Sequence, residues 1–278
     1  MKYLIDVELA ARLLPPRDPM GHKGTFGKVY VLGGAVGYTG APVYAGEAAA
    51  RTGSGLVFVG DPEEVYPIVA ARCAVSMVHP APREYGALLE RISVCDVAVI
   101  GPGLGRAPET EERVCCLLRD LTIPVVLDAD GINAVAEHID VLRDRRAPTI
   151  LTPHEGEFLR LGGDLACGRQ SAAEKFARDY GCVLVLKGPG TLVADPDGRV
   201  FENLTGNDGM AKGGSGDVLA GMIGSLLGQG ADPASAAACA VWMHGRAGDL
   251  CAKKLTRYAM TPPDMIAELP LVFEEILD

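Results

Sequence analysis

The chain has 278 residues, 48% apolar and 22% charged, a globular balance that suits one α/β domain with a sizeable core. A net charge of −10 argues against wholesale binding to nucleic acid or to an anionic membrane, so anionic substrates must be held by local devices. No apolar run near the N-terminus approaches the roughly 18 residues of a membrane span, and nothing there points to secretion. The eight cysteines form no CxxC pattern, and most lie in apolar stretches such as "GCVLVL" and "AAACAV". Buried, reduced thiols in a cytoplasmic protein are expected, without a metal cluster.

The N-terminal segment predicts a short helix after Asp6, stopped by Pro15 and Pro16. "KVYVLGG" (28–34) reads as a strand and "APVYAGEAAARTGSG" as the helix after it. "GLVFVGD", "AVSMVH", "VAVIGPGLG", "PVVLDADG", "TILTPHEG" and "CVLVLKGPG" supply further strands. Helices are predicted between them near 84–92, 109–120, 131–138, 155–161 and 170–180. Several strands are continuously apolar, the mark of a largely parallel sheet covered on both faces. "KGPGT" lies between two β-like runs, "CVLVL" and "LVAD", and predicts a hairpin late in that sheet. Beyond residue 203 the β character fades. "DVLAGMIGSLLGQG" reads as a helix, and a second follows with Asp232 as N-cap and Pro233 in its first turn. No linker or internal repeat divides the chain, so one domain over 1–278 is expected.

Parallel sheets bind ligands beyond the carboxyl ends of their strands. Those ends are "GGAVGYTGA", "GPGLG", "DADGIN", "TPHEGE" and "KGPGT". Any one glycine cluster is consistent with a tight turn; five on one rim point to a cleft. "NDGMAKGGSGDVLAGMIG" (207–224) is neither a Walker A nor a Rossmann fingerprint. Gly213, Gly214, Ser215 and Gly216 free backbone N–H groups to meet an oxyanion at a helix start. Asp217 beside them would repel a resting phosphate. It suits a base that takes a hydroxyl proton while the N–H groups hold a phosphoryl group in flight. The bland alternative is favourable interaction with the helix dipole, about 0.3–1 kcal/mol.

"GGSGD" opening a helix resembles the anion hole of ribokinase-like enzymes. "GTFGKVYVLGG", "GYTGAPVYAGEAAARTGSGLV", "GPGLG", "VLDADGIN", "ILTPHEGEF", "LKGPGTLV" and "NDGMAKGGSGDVLAGMIGSLLGQG" together resemble NAD(P)H-hydrate dehydratases, in that family's motif order from about residue 20 onward. The resemblance implies a three-layer α/β/α, ribokinase-like fold. It also implies repair of hydrated NADH or NADPH (S epimer): phosphorylation of the ring hydroxyl from ADP or ATP with Mg2+, then elimination of phosphate. Asp217 would be the catalytic base that activates the ring hydroxyl. The hydrated cofactor would lie near Ala41, Gly103, Gly105, His154 and Asp217. The nucleotide would lie on Lys187, Gly188, Pro189, Gly190, Thr191 and Gly216. Lys187 also suits phosphate by its charge at a strand end.

His154 is equally readable as a structural histidine. Asn133 and Glu157 read first as helix caps, with Glu157 in a magnesium network as the alternative. Asp128 and Asp130 are either a metal pair or a turn. His22, His79, His138 and His244 carry no motif. Asp208 and Lys212 stand where the family commonly has proline and threonine; Lys212 would reach a phosphate or balance Asp208. The epimerase domain often fused to this family is not expected in this chain, and the resemblance implies a homotetramer. Two rivals are a ribokinase-like kinase of a small alcohol or vitamin precursor, and a non-catalytic nucleotide sensor. A stable phosphorylated product would mark the first. Asp217 weighs against the second, since binding alone gains nothing from a carboxylate beside phosphates.

Overall fold

The structure, a computed structural model, describes residues 2–278. β1 (Lys2–Leu4) leads into α1 (Val7–Leu13), which starts where predicted: Asp6 Oδ1 accepts the Leu9 N–H at 2.8 Å. The chain then alternates through β2 (Lys28–Leu32), α2 (Gly40–Arg51), β3 (Leu56–Asp61), α3 (Tyr66–Arg72), β4 (Met77–Pro80), α4 (Tyr85–Ser93) and β5 (Val97–Ile100). It continues with α5 (Pro108–Asp120), β6 (Val125–Leu127), α6 (Asp130–Val135), β7 (Thr149–Leu151), α7 (Glu155–Arg160) and α8 (Arg169–Tyr180). After β8 (Val183–Leu186), β9 (Thr191–Ala194) and β10 (Val200–Asn203) come α9 (Ser215–Gly228), α10 (Pro233–Ala259) and α11 (Pro262–Leu277). The Asp232 cap of α10 forms as expected, with its side chain accepting the Ser235 N–H.

One ten-stranded sheet has the order β1-β10-β9-β8-β7-β6-β5-β2-β3-β4. From β4 across to β8 every pairing is parallel. The predicted late hairpin is β8–β9, with Leu186 opposite Leu192, and β9 also runs antiparallel to β10. Four elements gave no signal in the sequence: β1, α3, β10 and α11. β1 is three exposed residues on the sheet edge, and α11 carries Pro270 inside it. Their pairing and packing partners, rather than local pattern, stabilise them.

Alternate strand residues feed two cores. Val29 and Val31 join one cluster with α2, α9 and α10; Tyr30 and Leu32 join the other with α4, α5 and α8. Strands covered on both faces are therefore apolar throughout, as β5 and β8 are. α9 reaches the centre of the molecule because it presents glycine. A Cβ on Gly221 would lie 2.1 Å from the Ala45 carbonyl oxygen, and one on Gly224 would lie 2.5 Å from Val99 Cγ2. This close packing against α2 and the sheet sets the start of α9 at the strand-end rim.

All eight cysteines are free. Five are buried as expected, whereas Cys73 and Cys116 are half-buried and Cys167 is exposed. Among the described residues no helix is long and apolar enough to cross a membrane.

Candidate active site

The carboxyl ends of β2, β5, β6, β7 and β8 share one rim, and the first turn of α9 closes it. Gly214 occupies the N-cap in the left-handed region (φ 99°), where a Cβ would strike Tyr44 and Pro262 at 2.8–2.9 Å. Asp217 follows in the first turn. The N–H groups of that turn have no acceptor inside the helix. Space beside Gly213 is open, with no atom within 4 Å of a Cβ position. Gly216 faces the charged centre: a Cβ there would meet Lys187 Nζ at 3.3 Å and Asp128 Oδ2 at 3.6 Å.

That centre is a buried ion-pair network. Lys187 Nζ donates to Asp128 Oδ1 at 3.0 Å and lies 3.9 Å from Glu157 Oε2. Asp128 is 1% exposed, and its Oδ1 also accepts from Thr152 Oγ1 at 2.6 Å. Burial opposes the charge on Lys187, but Asp128, Glu157 and Asp217 outweigh it and raise the ammonium pKa above its ordinary value. Burial, with the like charge of Asp128 behind it, pushes the Asp217 carboxyl up to about 7. Lys187 offsets part of that rise. Asp217 is thus poised near neutrality, where a general base works best.

The turn after β6 separates the two acids that precede and follow Ala129. Ala129 has φ 48° and ψ −113°, a strained conformation of the kind that gathers at functional sites. It sends Asp128 to Lys187 and Asp130 elsewhere: Asp130 Oδ2 accepts the Gly105 N–H at 2.9 Å, and Oδ1 pairs with Arg106 at 3.1 Å. The two carboxylates thus serve different partners, and the turn expected at this strand end is present, with the Asp128 carbonyl accepting the Gly131 N–H at 2.9 Å. Asp130 fixes the loop after β5, which interlocks with the start of α2. A Cβ on Gly103 would lie 3.0 Å from Ala41 Cβ and 2.8 Å from Tyr38. The structure so brings Ala41, Gly103 and Gly105 together, and Asp130 adds to the field at Asp217.

His154 is the N-cap of α7. Its Nδ1 accepts the Glu157 N–H at 3.2 Å, while Glu157 Oε2 accepts the His154 N–H at 2.9 Å. The cap predicted for Glu157 is therefore present, and His154 is structural at Nδ1 while its side chain stays 56% exposed. Asn133 is not a cap: from within α6 it donates to the Ala129 carbonyl and accepts from Arg160. On the hairpin, Lys187 and His154 form a parallel bridge between neighbouring strand ends. Gly188 (φ 148°) leaves room for a side chain: a Cβ would lie 2.8 Å from Arg169 Nη2. Thr191 Oγ1 donates to the Gly188 carbonyl at 2.9 Å and closes the turn around Pro189 and Gly190.

The two alternatives for Lys212 are both corrected. Its Nζ donates to the Tyr258 and Met260 carbonyls at 2.6 Å each, binding the glycine loop to the end of α10. Asp208 pairs instead with Arg257 at 3.1 Å. Two residues were not marked by any motif. Buried His244 on α10 donates from Nε2 to the Ser215 carbonyl at 2.9 Å, and burial pushes its pKa down to about 4, so it is neutral. Arg169 holds the hairpin turn. A histidine inside the apolar run "AVWMHG" was the one available hint for the first; the second is visible only in tertiary contact.

A three-layer α/β/α protein with a glycine-led helix and an acid in its first turn is a ribokinase-like protein. A ribokinase-like superfamily protein from Enterococcus faecalis superposes with a TM-score of 0.88 at 28% identity, covering 99% of this chain and 96% of the other. The NAD(P)H-hydrate dehydratase family matches over residues 29–271, and the chain belongs to it. It is 43% identical over 276 residues to a bifunctional NAD(P)H-hydrate repair enzyme of Moorella thermoacetica, across 95% of this chain and 52% of that one. The chain thus spans about half the length of the bifunctional relatives it matches. It is 39% identical over 237 residues to an ADP-dependent (S)-NAD(P)H-hydrate dehydratase of Neisseria meningitidis, across 82% of this chain and 78% of that one. An ADP/ATP-dependent NAD(P)H-hydrate dehydratase from Bacillus subtilis, co-crystallised with ATP and Mg2+, gives a TM-score of 0.85 at 30% identity, covering 99% and 98%.

Proposed function

We propose that this chain, as one catalytic domain over 1–278, dehydrates the S epimer of hydrated NADH or NADPH at the expense of ADP or ATP. The observation that carries the reading is Asp217: a carboxyl poised at about 7, in the first turn of a glycine-led helix, beside Lys187. The ring hydroxyl loses its proton to Asp217 as its oxygen bonds to the terminal phosphorus. The bond from that phosphorus to the bridging oxygen breaks, releasing AMP from ADP or ADP from ATP. N–H groups of Gly213, Gly214 and Gly216 stabilise the equatorial charge. Phosphate then leaves the ring carbon, the neighbouring carbon gives up a proton, and the double bond returns.

The hydrated ring would lie near Ala41, Gly103, Gly105 and His154, with the nucleotide over Lys187–Thr191 and Gly216. Among the described residues no three His, Cys, Asp or Glu side chains form a metal cage. That fits Mg2+, which travels on nucleotide phosphates and keeps most of its waters. Asp128, which already accepts from Thr152 and Lys187, is the carboxylate that would hold it beside the phosphates. The ion supplies neutralisation of phosphate charge. A cytoplasmic homotetramer is the setting the family resemblance supports.

The test is incubation with hydrated NADH, Mg2+ and ADP or ATP, watching dihydronicotinamide absorbance return. Accumulation of a stable phosphorylated product without that absorbance would replace this reading with a kinase.

A further inference from the structure

The turn that would carry the nucleotide is built around a cation from another element. Arg169, the first residue of α8, donates from Nη1 to the Pro189 and Gly190 carbonyls at 2.7 and 3.1 Å. Its Nη2 donates to the Leu186 and Lys187 carbonyls at 3.1 and 3.2 Å. Four carbonyls of five consecutive residues thus converge on one guanidinium. A trans peptide points its N–H opposite to its carbonyl. Drawing the Pro189 carbonyl inward therefore aims the Gly190 N–H out of the turn, toward a ligand. Gly188 is glycine for the same reason, because its side-chain space is taken by Nη2.

The same guanidinium reaches the other half of the site. Its Nε lies 3.1 Å from Glu155 Oε1, yet the Nε–H has no well-aligned acceptor. The contact is an ion pair that can tighten, unlike the four carbonyl bonds. Glu155 opens α7 next to His154, the exposed N-cap residue assigned to the hydrated cofactor. Two cations join the 186–190 turn to the first turn of α7 by charge: Lys187, 3.9 Å from Glu157, and Arg169, whose closer contact is with Glu155.

We propose that Arg169 is a positioning residue that shapes the nucleotide turn and, through Glu155, couples nucleotide binding to hydrated-cofactor binding. The proposal rests on the function argued above. A planar fork is essential to it, because a lysine ammonium cannot hold four carbonyls spread along a turn. For shaping the turn the charge itself is secondary; for the link to Glu155 it is the interaction.

Calorimetric titration with ADP and Mg2+ tests the first part without turnover. Arg169→Gln weakens ADP binding by at least about tenfold, the loss of more than one hydrogen bond to a charged group. Arg169→Lys keeps the charge and recovers less than half of that loss on a logarithmic scale. Full recovery by lysine would mean simple electrostatic attraction and would overturn the proposal. Glu155→Gln, on an exposed side chain that unfolds nothing, tests the second part. It changes ADP affinity alone by less than about threefold, but removes the dependence of the ADP KM on hydrated NADH concentration seen in the unaltered chain. Retention of that dependence, or its absence in the unaltered chain, would refute the coupling. An unaltered chain that binds neither ADP nor ATP would remove the function and this proposal together; one that binds ADP as tightly as Arg169→Gln removes only the proposal.

Discussion

Replacing Asp217 with Asn separates chemistry from stability, and the structure predicts that the two move in opposite directions. The substitution is close to isosteric, and Asn still serves the first turn of α9. It cannot take a proton, so turnover should fall by ~10²–10⁴. Stability should rise. Raising a carboxyl from 3.8 to about 7 costs its charged form about 4 kcal/mol in the folded state. Solvent reaches part of the group, so a gain of about 1–2 kcal/mol is expected from the neutral amide. The sign follows from the raised pKa. Above pH 7 the unaltered protein carries the full penalty, so the gain from Asn is greatest there. As pH falls through 7 toward 3.8, Asp217 takes up its proton in the folded state and the gain vanishes. Thermal unfolding at pH 8 and pH 5 reads the stability, and steady-state kinetics on hydrated NADH read the rate. In the unaltered enzyme, kcat/KM should fall tenfold per pH unit below about 7. A folded Asp217→Asn variant with near-normal kcat would refute the catalytic role. A stability gain no larger at pH 8 than at pH 5 would refute the electrostatics behind it.

Lys187→Ala should weaken ADP binding by roughly 1.5–3 kcal/mol and lower stability as well, because Asp128 and Glu157 lose their cation; unchanged ADP affinity would reduce Lys187 to a structural counter-ion. ADP should give a higher kcat/KM than ATP, an expectation resting on family resemblance and on the Neisseria relative's ADP dependence; kinetics with each nucleotide decide it, and a preference for ATP overturns it. Gly221→Ala should cost about 1–3 kcal/mol, because its methyl group would enter the space of the Ala45 carbonyl; a melting temperature equal to the parent's would mean that α2 and α9 slide apart freely.

The sequence alone determined whatever depends on neighbours along the chain. Continuous apolar strands required a sheet covered on both faces, and the turn residues of "KGPGT" required the β8–β9 reversal. Glycines before Asp217 required an open first turn of α9. Asp6 and Asp232 marked helix starts because a cap is a contact across three residues. The sequence could not decide what charged side chains do across long separations. Asp128 and Asp130 looked alike in "DADG", yet a strained Ala129 turns them to Lys187 and to Gly105, 59 and 25 residues away. Lys212 suited either a phosphate or Asp208, but the end of α10 offers its nitrogen two carbonyls 46 and 48 residues distant. His244 and Arg169 carried no local pattern because their partners are backbone carbonyls, which every residue has and no sequence distinguishes. Only the packing of α10 and α8 against the rim selects which carbonyls those are.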